Sequence, residues 1–532
     1  MFIQPEYLCE MIKYHIIDDI YNDKVNDETR VILKKINNDE FSDYINANYI
    51  SGYDLSKKTY IATQGPKKNT FYDFWRMIWD DNCRLILMLT NLIENGREKC
   101  DEYWPEISGQ FRDIHIRFVG VKVQAEYTIR TFQISRNSGP RLVRHFHFTG
   151  WPDHAAPMYS TTLVSMLNEV ERFNSPDYGP MVVHCSAGVG RTGTIIMIDA
   201  MLKMANECKR VDFLRFLHQM RCERVNMVEN EMQYIFAHEA LLEALYGAGT
   251  CISCDIFSKQ LEKLKIKTEN ERFSPIQQQF KNLNKLTPRL SPEDCRTGLL
   301  STNENKNRCA NILPRKIGYK KKDSFILTQM PLPQTVDDFW VCVYDNNASA
   351  IVLLNEFPQN DQTCKPYWPQ KRSWICGKIS VEMIAEEHEN AYYILRTFMI
   401  CNSTKATEKP RTVKQFHFRN WNTGELVPPS TNNFIELMEE VRRWQQQSGN
   451  NIMITQCFDG TTASGVFAAS MFLCDKIKEE QNVDVFISVR NVRSNRPQCI
   501  KTEVSHLFFY SYSHCFSALF AQPYAKKTTL NK

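Results

Sequence analysis

Apolar and polar positions recur along this chain with two periods. Leu85-Ile86-Leu87-Met88-Leu89 and Met181-Val182-Val183 are short, unbroken apolar runs, the pattern of buried strands. Tyr127-Thr128-Ile129-Arg130-Thr131-Phe132 is rich in β-branched and aromatic residues and predicts another strand. Residues 161–173 and 199–207 carry apolar side chains at helical spacing, and a further helical stretch is expected from about 191 to 203. Residues 255–290 are charged and Gln-rich with Phe and Leu at helical spacing, which predicts one or two more helices. Short strands interleaved with helices predict an α/β (α+β) fold.

The pattern is written twice. Thr63-Gln64-Gly65-Pro66 returns as Thr328-Gln329-Met330-Pro331, and Asp73-Phe74-Trp75 as Asp338-Phe339-Trp340. Tyr103-Trp104-Pro105 returns as Tyr367-Trp368-Pro369, His145-Phe146-His147-Phe148 as Gln415-Phe416-His417-Phe418, and Cys185 as Cys457. The order is collinear and the spacing is far too long for a solenoid, so the chain holds two copies of one domain. The first copy is expected over 1–250 and the second over 286–532. A linker with a leading helix is expected over 251–285, after Gly247-Ala248-Gly249-Thr250.

Composition narrows the function. The 532 residues, 43% hydrophobic and 24% charged, match a globular protein with ample cores. A net charge of +4 argues for neither nucleic-acid binding nor adhesion to membrane surfaces. The 18 cysteines are scattered without metal-ligand spacing, and the Cys251-x-x-Cys254 pair reads as chance. No apolar run approaches membrane-spanning length and no leader follows Met1, so the expected location is cytoplasmic.

The candidate chemistry lies between the run at 181–183 and the helix at 191, in His184-Cys185-Ser186-Ala187-Gly188-Val189-Gly190-Arg191-Thr192-Gly193-Thr194. Gly188 and Gly190 allow backbone N–H groups to converge on one anion, and the following helix adds its positive end. A cysteine in such a cradle is favoured as the nucleophilic thiolate. Arg191 offers a fork for two oxygens of a phosphate. A buried structural cysteine beside a glycine-rich turn is the alternative reading. The arrangement describes phosphoryl transfer to sulfur.

This loop resembles the active-site loop of the protein tyrosine phosphatases. Further motifs agree in order: Tyr44-Ile45-Asn46-Ala47-Asn48-Tyr49-Ile50, Thr63-Gln64-Gly65-Pro66, Asp73-Phe74-Trp75-Arg76-Met77-Ile78-Trp79, Lys99-Cys100 with Tyr103-Trp104-Pro105, and Phe148-Thr149-Gly150-Trp151-Pro152-Asp153-His154. The tandem copies are similar to the cytoplasmic half of receptor-type members, with a fainter likeness to the subgroup bearing MAM and immunoglobulin modules. The resemblance implies two twisted mixed sheets flanked by helices, no metal and no organic cofactor. It implies phosphotyrosine-containing proteins as partners. The chain is then a cytosolic form or the cytoplasmic portion of a longer membrane receptor.

The roles also follow from the resemblance. Cys185 is the nucleophile, Arg191 the phosphoryl clamp and Asp153 the general acid. Thr192 helps the thiolate leave, His184 orients Cys185, and Ser186, Ala187, Gly188, Val189 and Gly190 supply the cradle. Glu94 pairs with Arg191, Lys99 reaches toward the acid loop, and Tyr14 walls the substrate pocket. Gln233 keeps the second glutamine of the water-positioning pair. Two departures stand out. Ile16 replaces a residue that grips the peptide backbone, and Glu229 replaces the first glutamine of that pair. A working first step and a slowed second step are expected.

The second copy has lost this chemistry. Its loop is Gln456-Cys457-Phe458-Asp459-Gly460-Thr461-Thr462-Ala463-Ser464, with alanine where the arginine belongs. Trp421-Asn422-Thr423 supplies no acid, Cys309 stands in the place of the tyrosine wall, and Lys501 in the water-positioning place. The expectation is an active first copy beside an inactive regulatory one that makes intramolecular or intermolecular contacts. The rival reading is a pseudophosphatase that binds phosphotyrosine or acts as a scaffold.

Overall fold

A computed structural model describes residues 26–520, apart from 37–38, 56–57, 125, 137–138, 153–155, 158–159, 248, 268–270, 315–324, 371–372, 389, 405–408 and 450. Tyr14, Ile16 and Asp153 lie outside the described residues. The chain divides into two units, Met1–Tyr246 and Gly247–Lys532.

In the first unit the strands are β1 (Arg30–Ile32), β2 (Tyr44–Ile50), β3 (Tyr60–Thr63), β4 (Leu85–Met88), the hairpin β5 (Ile93–Glu94) and β6 (Arg97–Glu98), β7 (Ser108–Phe111), β8 (Ile114–Val123), β9 (Tyr127–Ser135), β10 (Arg141–Phe148) and β11 (Met181–His184). Nine of them form one sheet in the order β1-β2-β3-β11-β4-β10-β9-β8-β7. The centre, β3-β11-β4-β10, is parallel and the flanks are antiparallel. Every residue of β3, β4 and β11 is buried, because helices cover both faces of the parallel centre. On one face α1 (Phe71–Asp80) inserts Phe74, Trp75, Met77 and Ile78. On the other lie α2 (Thr161–Phe173), α3 (Gly190–Cys208), α4 (Phe213–Glu223) and α5 (Glu231–Tyr246). The two helical patterns expected at 191–203 and 199–207 are one 19-residue helix, α3, whose central position leaves twelve of its residues buried.

The second unit repeats the plan. Its sheet runs β13 (Phe325–Gln329), β19 (Met453–Cys457), β14 (Ala350–Leu353), β18 (Arg411–Phe418), β17 (Tyr393–Asn402), β16 (Ile379–Glu387) and β15 (Trp374–Cys376), again with four parallel strands first. Helix α8 (Val336–Asp345) covers one face, as α1 does in the first unit. Among the described residues this sheet ends at β13, with no counterpart of β1 and β2.

Residues 251–285, expected as a linker with one leading helix, are built into the second unit. β12 (Ile252–Ser253) pairs with β20 (Asn482–Val483). α6 (Cys254–Lys265) and α7 (Pro275–Leu286) bury Phe257, Leu261, Ile276, Phe280 and Leu283. Ser274, Pro275 and Gln277 start α7 with a capping box and a proline in the first turn.

Candidate active site

Parallel strands deliver their carboxyl ends to one edge of the sheet, and the loops that follow them meet there. β11 ends at His184 and hands over to Cys185, β4 leads to 89–94, β10 to 148–152 and β3 to 64–65. Backbone hydrogen bonds lace these loops together: Leu89 N donates to His184 O at 2.9 Å and Gly65 N to Ser186 O at 2.9 Å.

Cys185 is 5% exposed. Its Sγ accepts from Gly188 N at 3.2 Å and from Thr192 Oγ1 at 3.3 Å. Thr192 is thus a hydroxyl donor at the sulfur. The two glycines do different work. Gly188 has φ +77°, and a Cβ there would meet Thr63 O at 2.2 Å. Gly190 opens α3, and a Cβ there would meet Glu229 Oε2 at 2.7 Å and Gln233 Nε2 at 3.0 Å. Glu229 and Gln233 therefore lie over the first turn of α3. Glu229 N donates to Gln233 Oε1 at 2.9 Å, which fixes the two relative to each other. Gln233 is buried and Glu229 is exposed.

Arg191 grips Glu94 with both terminal nitrogens, Nη1 to Oε1 at 2.7 Å and Nη2 to Oε2 at 2.8 Å. It also donates to Leu89 O at 3.1 Å and to Pro152 O, immediately before Asp153, at 3.4 Å. Burial pushes the Glu94 carboxyl up, but Arg191 and the Asn91 N–H outweigh it and hold it below its ordinary value. A buried bidentate pair of this kind aims the guanidinium and costs little further ordering at reaction. Glu94 owes its place to the hairpin β5–β6, which turns through Asn95 (φ 49°) and Gly96 (φ 75°). An Asn-Gly pair with two positive φ values is the preferred two-residue hairpin turn, a signal present in the sequence. Lys99 N closes the hairpin base on Leu92 O at 2.8 Å.

His184 makes its hydrogen bond to the backbone of Cys185. Its Nδ1 lies 3.1 Å from the carbonyl oxygen of Cys185, and no bond to Sγ is made. Its Nε2 lies 2.7 Å from the Tyr103 hydroxyl, which lies 2.8 Å from His145 Nε2. Burial holds His184 neutral, its pKa pushed down to about 4. A neutral ring that donates from Nδ1 must accept at Nε2, so Tyr103 donates to His184 and accepts from His145. His184 orients the backbone of Cys185 rather than its thiol.

Arg224 escaped the sequence reading. It is 4% exposed and donates from Nε to Gly188 O at 2.9 Å and from Nη2 to Ala187 O at 3.2 Å. Its other bonds run to Asn48 Oδ1 at 2.7 Å and Asn46 Oδ1 at 2.8 Å. By taking two loop carbonyls, it holds the loop in the turn that presents Gly188 N to the sulfur. No local motif marks it, because its partners lie 36 to 178 positions away.

The protein-tyrosine phosphatase pattern matches residues 21–243 and 282–514, most of the chain in two copies. The chain belongs to the protein-tyrosine phosphatase family. Among curated proteins it is 36% identical to receptor-type tyrosine-protein phosphatase U of Gallus gallus over 511 residues, 91% of this chain and 35% of that protein. It is 35% identical to the epsilon receptor-type phosphatase of Homo sapiens over 529 residues, 93% of this chain and 75% of that protein. With the alpha receptor-type phosphatase of Homo sapiens the identity is 35% over 516 residues, 91% and 63% of the two chains. The chain thus spans between about a third and three quarters of these relatives. No helix among the described residues is long and apolar enough to cross a membrane.

In the second phosphatase-family domain, Ala463 is buried at the arginine's place. Thr423 stands at the acid's place, and Asn422 beside it is tied to Glu425, with Nδ2 donating to Oε1 at 3.1 Å. Lys501 is exposed.

Proposed function

We propose that the first domain hydrolyses phosphotyrosine on proteins through a phosphocysteine at Cys185, and that the second domain is regulatory. The observation that carries this is the pairing of a Cys185 sulfur held by Gly188 N and Thr192 Oγ1 with an Arg191 fork held by Glu94. The Cys185 thiolate attacks phosphorus and the P–O bond to the aryl group breaks. Asp153 gives its proton to the leaving phenolate. Water then attacks phosphorus, Asp153 takes a proton from that water, and the P–S bond breaks. The sulfur leaves as thiolate with the Thr192 hydroxyl donating to it. Arg191 and the loop N–H groups hold the phosphoryl oxygens through both steps. Glu229 sits where the second-step water is positioned, so hydrolysis of the phosphocysteine is the slower step. Tyr14 forms the pocket wall that selects an aryl phosphate. Lys99 supports the acid loop. The chain acts as a cytoplasmic portion of a receptor-type phosphatase.

The test is turnover of p-nitrophenyl phosphate and of a phosphotyrosine peptide by the full chain, with Cys185→Ser beside it. Turnover of both substrates, reduced at least ~10⁴-fold in the variant, is expected. Turnover of the small ester alone places a defect in peptide recognition around Tyr14 and Ile16. No turnover of either by folded protein overturns the proposal.

A further inference from the structure

The second domain keeps the shape of the anion loop and fills it from within. Asp459 stands where the first loop has Ala187, two residues after the cysteine in each. Its Oδ1 accepts from Thr461 N at 2.9 Å, from Thr462 N at 2.9 Å and from Cys457 Sγ at 3.2 Å. Its Oδ2 accepts from Thr461 Oγ1 at 2.9 Å and Thr462 Oγ1 at 2.6 Å. Two backbone N–H groups, two hydroxyls and a thiol thus converge on one carboxylate. Helix α9 (Thr462–Glu480) starts at the same point and adds its positive end. The N–H of Phe458 is turned away to Asn355 Oδ1 at 3.1 Å.

We propose that Asp459 is a built-in anion, occupying the place that a phosphate takes in the first loop and closing the second domain to phosphotyrosine by its own side chain. The backbone supports this. Gly460 has φ +71°, and a Cβ there would meet Gln329 N at 2.5 Å, as Gly188 is wedged against Thr63. The loop is therefore the same nest with an internal ligand. The ligand also explains how the domain tolerates the loss of the arginine, since a carboxylate bonded to five donors needs no guanidinium. Cys457 becomes a donor in this arrangement. Burial, then the Asp459 charge, pushes its thiol up to about 12. Burial pushes the Asp459 carboxyl the other way from its donors, and the Thr462 and Thr461 bonds win, holding it below its ordinary value. Cys457 is a protonated, hydrogen-bonded thiol. None of this depends on turnover by the first domain.

The experiment is alkylation of the full chain with iodoacetamide at pH 8, mapped by peptide mass spectrometry, for wild type and Asp459→Ala, with and without inorganic phosphate. Cys185 is the internal standard for a reactive, phosphate-protected thiol. In wild type, Cys457 is expected to label at least ~10-fold more slowly than Cys185, and phosphate to leave its rate unchanged. In Asp459→Ala its labelling accelerates about 10-fold and phosphate slows it again. Buried Cys376 and Cys474 report whether the domain stays folded. If they label too, Asp459→Asn decides: faster labelling of Cys457 than in wild type supports the proposal, and an equal rate overturns it. Wild-type Cys457 that labels like Cys185 and is protected by phosphate also overturns it. So does a folded alanine variant whose Cys457 ignores phosphate.

Discussion

The Cys185 loop and the Cys457 loop share a backbone and differ in charge. Each follows a buried parallel strand and enters a 19-residue helix through a left-handed glycine. Behind each, one buried tyrosine bridges two side chains. Tyr103 lies between His145 and His184, and Tyr367 between Gln415 and Gln456. The polarity is the same in both. The hydroxyl accepts from the residue on β10 or β18 and donates to the residue before the cysteine. A glutamine pair thus replaces a histidine pair without rewiring the support. The nest is a property of strand–helix packing and survives there. The chemistry depends on a few added charges, and in the second domain those are gone or inverted.

Placing the second domain's residues into the first is the sharpest way to break this comparison. Arg191→Ala, which copies Ala463, should lower kcat/KM about 10³-fold while the domain stays folded, read by aryl phosphate turnover and circular dichroism. A loss under tenfold would mean that the backbone nest alone does most of the clamping. Arg224→Met comes next. It strips the donors from Asn46, Asn48 and two loop carbonyls, and should cost ~10–100-fold in kcat/KM and about 3 kcal/mol in urea unfolding. The corresponding Arg496 has a buried Nε without a partner, so the same change there should cost less.

The histidine pair carries a smaller effect with a definite sign. Burial pushes His184 down from 6.5 to about 4 and lowers His145 well below its ordinary value. With folded values below the unfolded one, their contribution is complete above about pH 6.5 and is lost as the pH falls toward 4. His145→Gln with His184→Gln, which copies the second domain, should flatten the first domain's stability loss between pH 7 and pH 5 by roughly 2–4 kcal/mol. Urea titrations at the two pH values check this, and an unchanged acid slope would assign it to other groups. Glu229→Gln is the mildest. Wild type should show a burst of aryl alcohol before steady turnover, and the variant should raise the steady rate ~2–10-fold and shrink the burst.

Much of this was legible along the chain. Unbroken apolar runs marked the central strands because helices bury both faces of a parallel centre. The loop from His184 to Thr194 is local, so its glycines, cysteine and arginine could be read together. Glu94 was legible by resemblance, yet its hairpin was advertised by Asn95-Gly96. Arg224 was not legible, since a buried arginine satisfied by distant carbonyls leaves no periodicity or motif. The stretch 251–285 looked like a connector because its apolar residues are sparse. Its place was decided by the two-residue pairing of β12 with β20 and by the packing of α6 and α7.

The sequence by itself determined the two-copy plan, the strand–loop–helix around each cysteine, and which copy keeps an arginine at the phosphate's place. These depend on residue identity and short spacing. Only the tertiary structure decided what each charge touches. It set Arg224 against two carbonyls of the first loop, pointed His184 at a carbonyl and folded the Asp459 carboxylate into the second nest. Those outcomes rest on which loops the parallel strands bring to one edge and on which donors are left there without water.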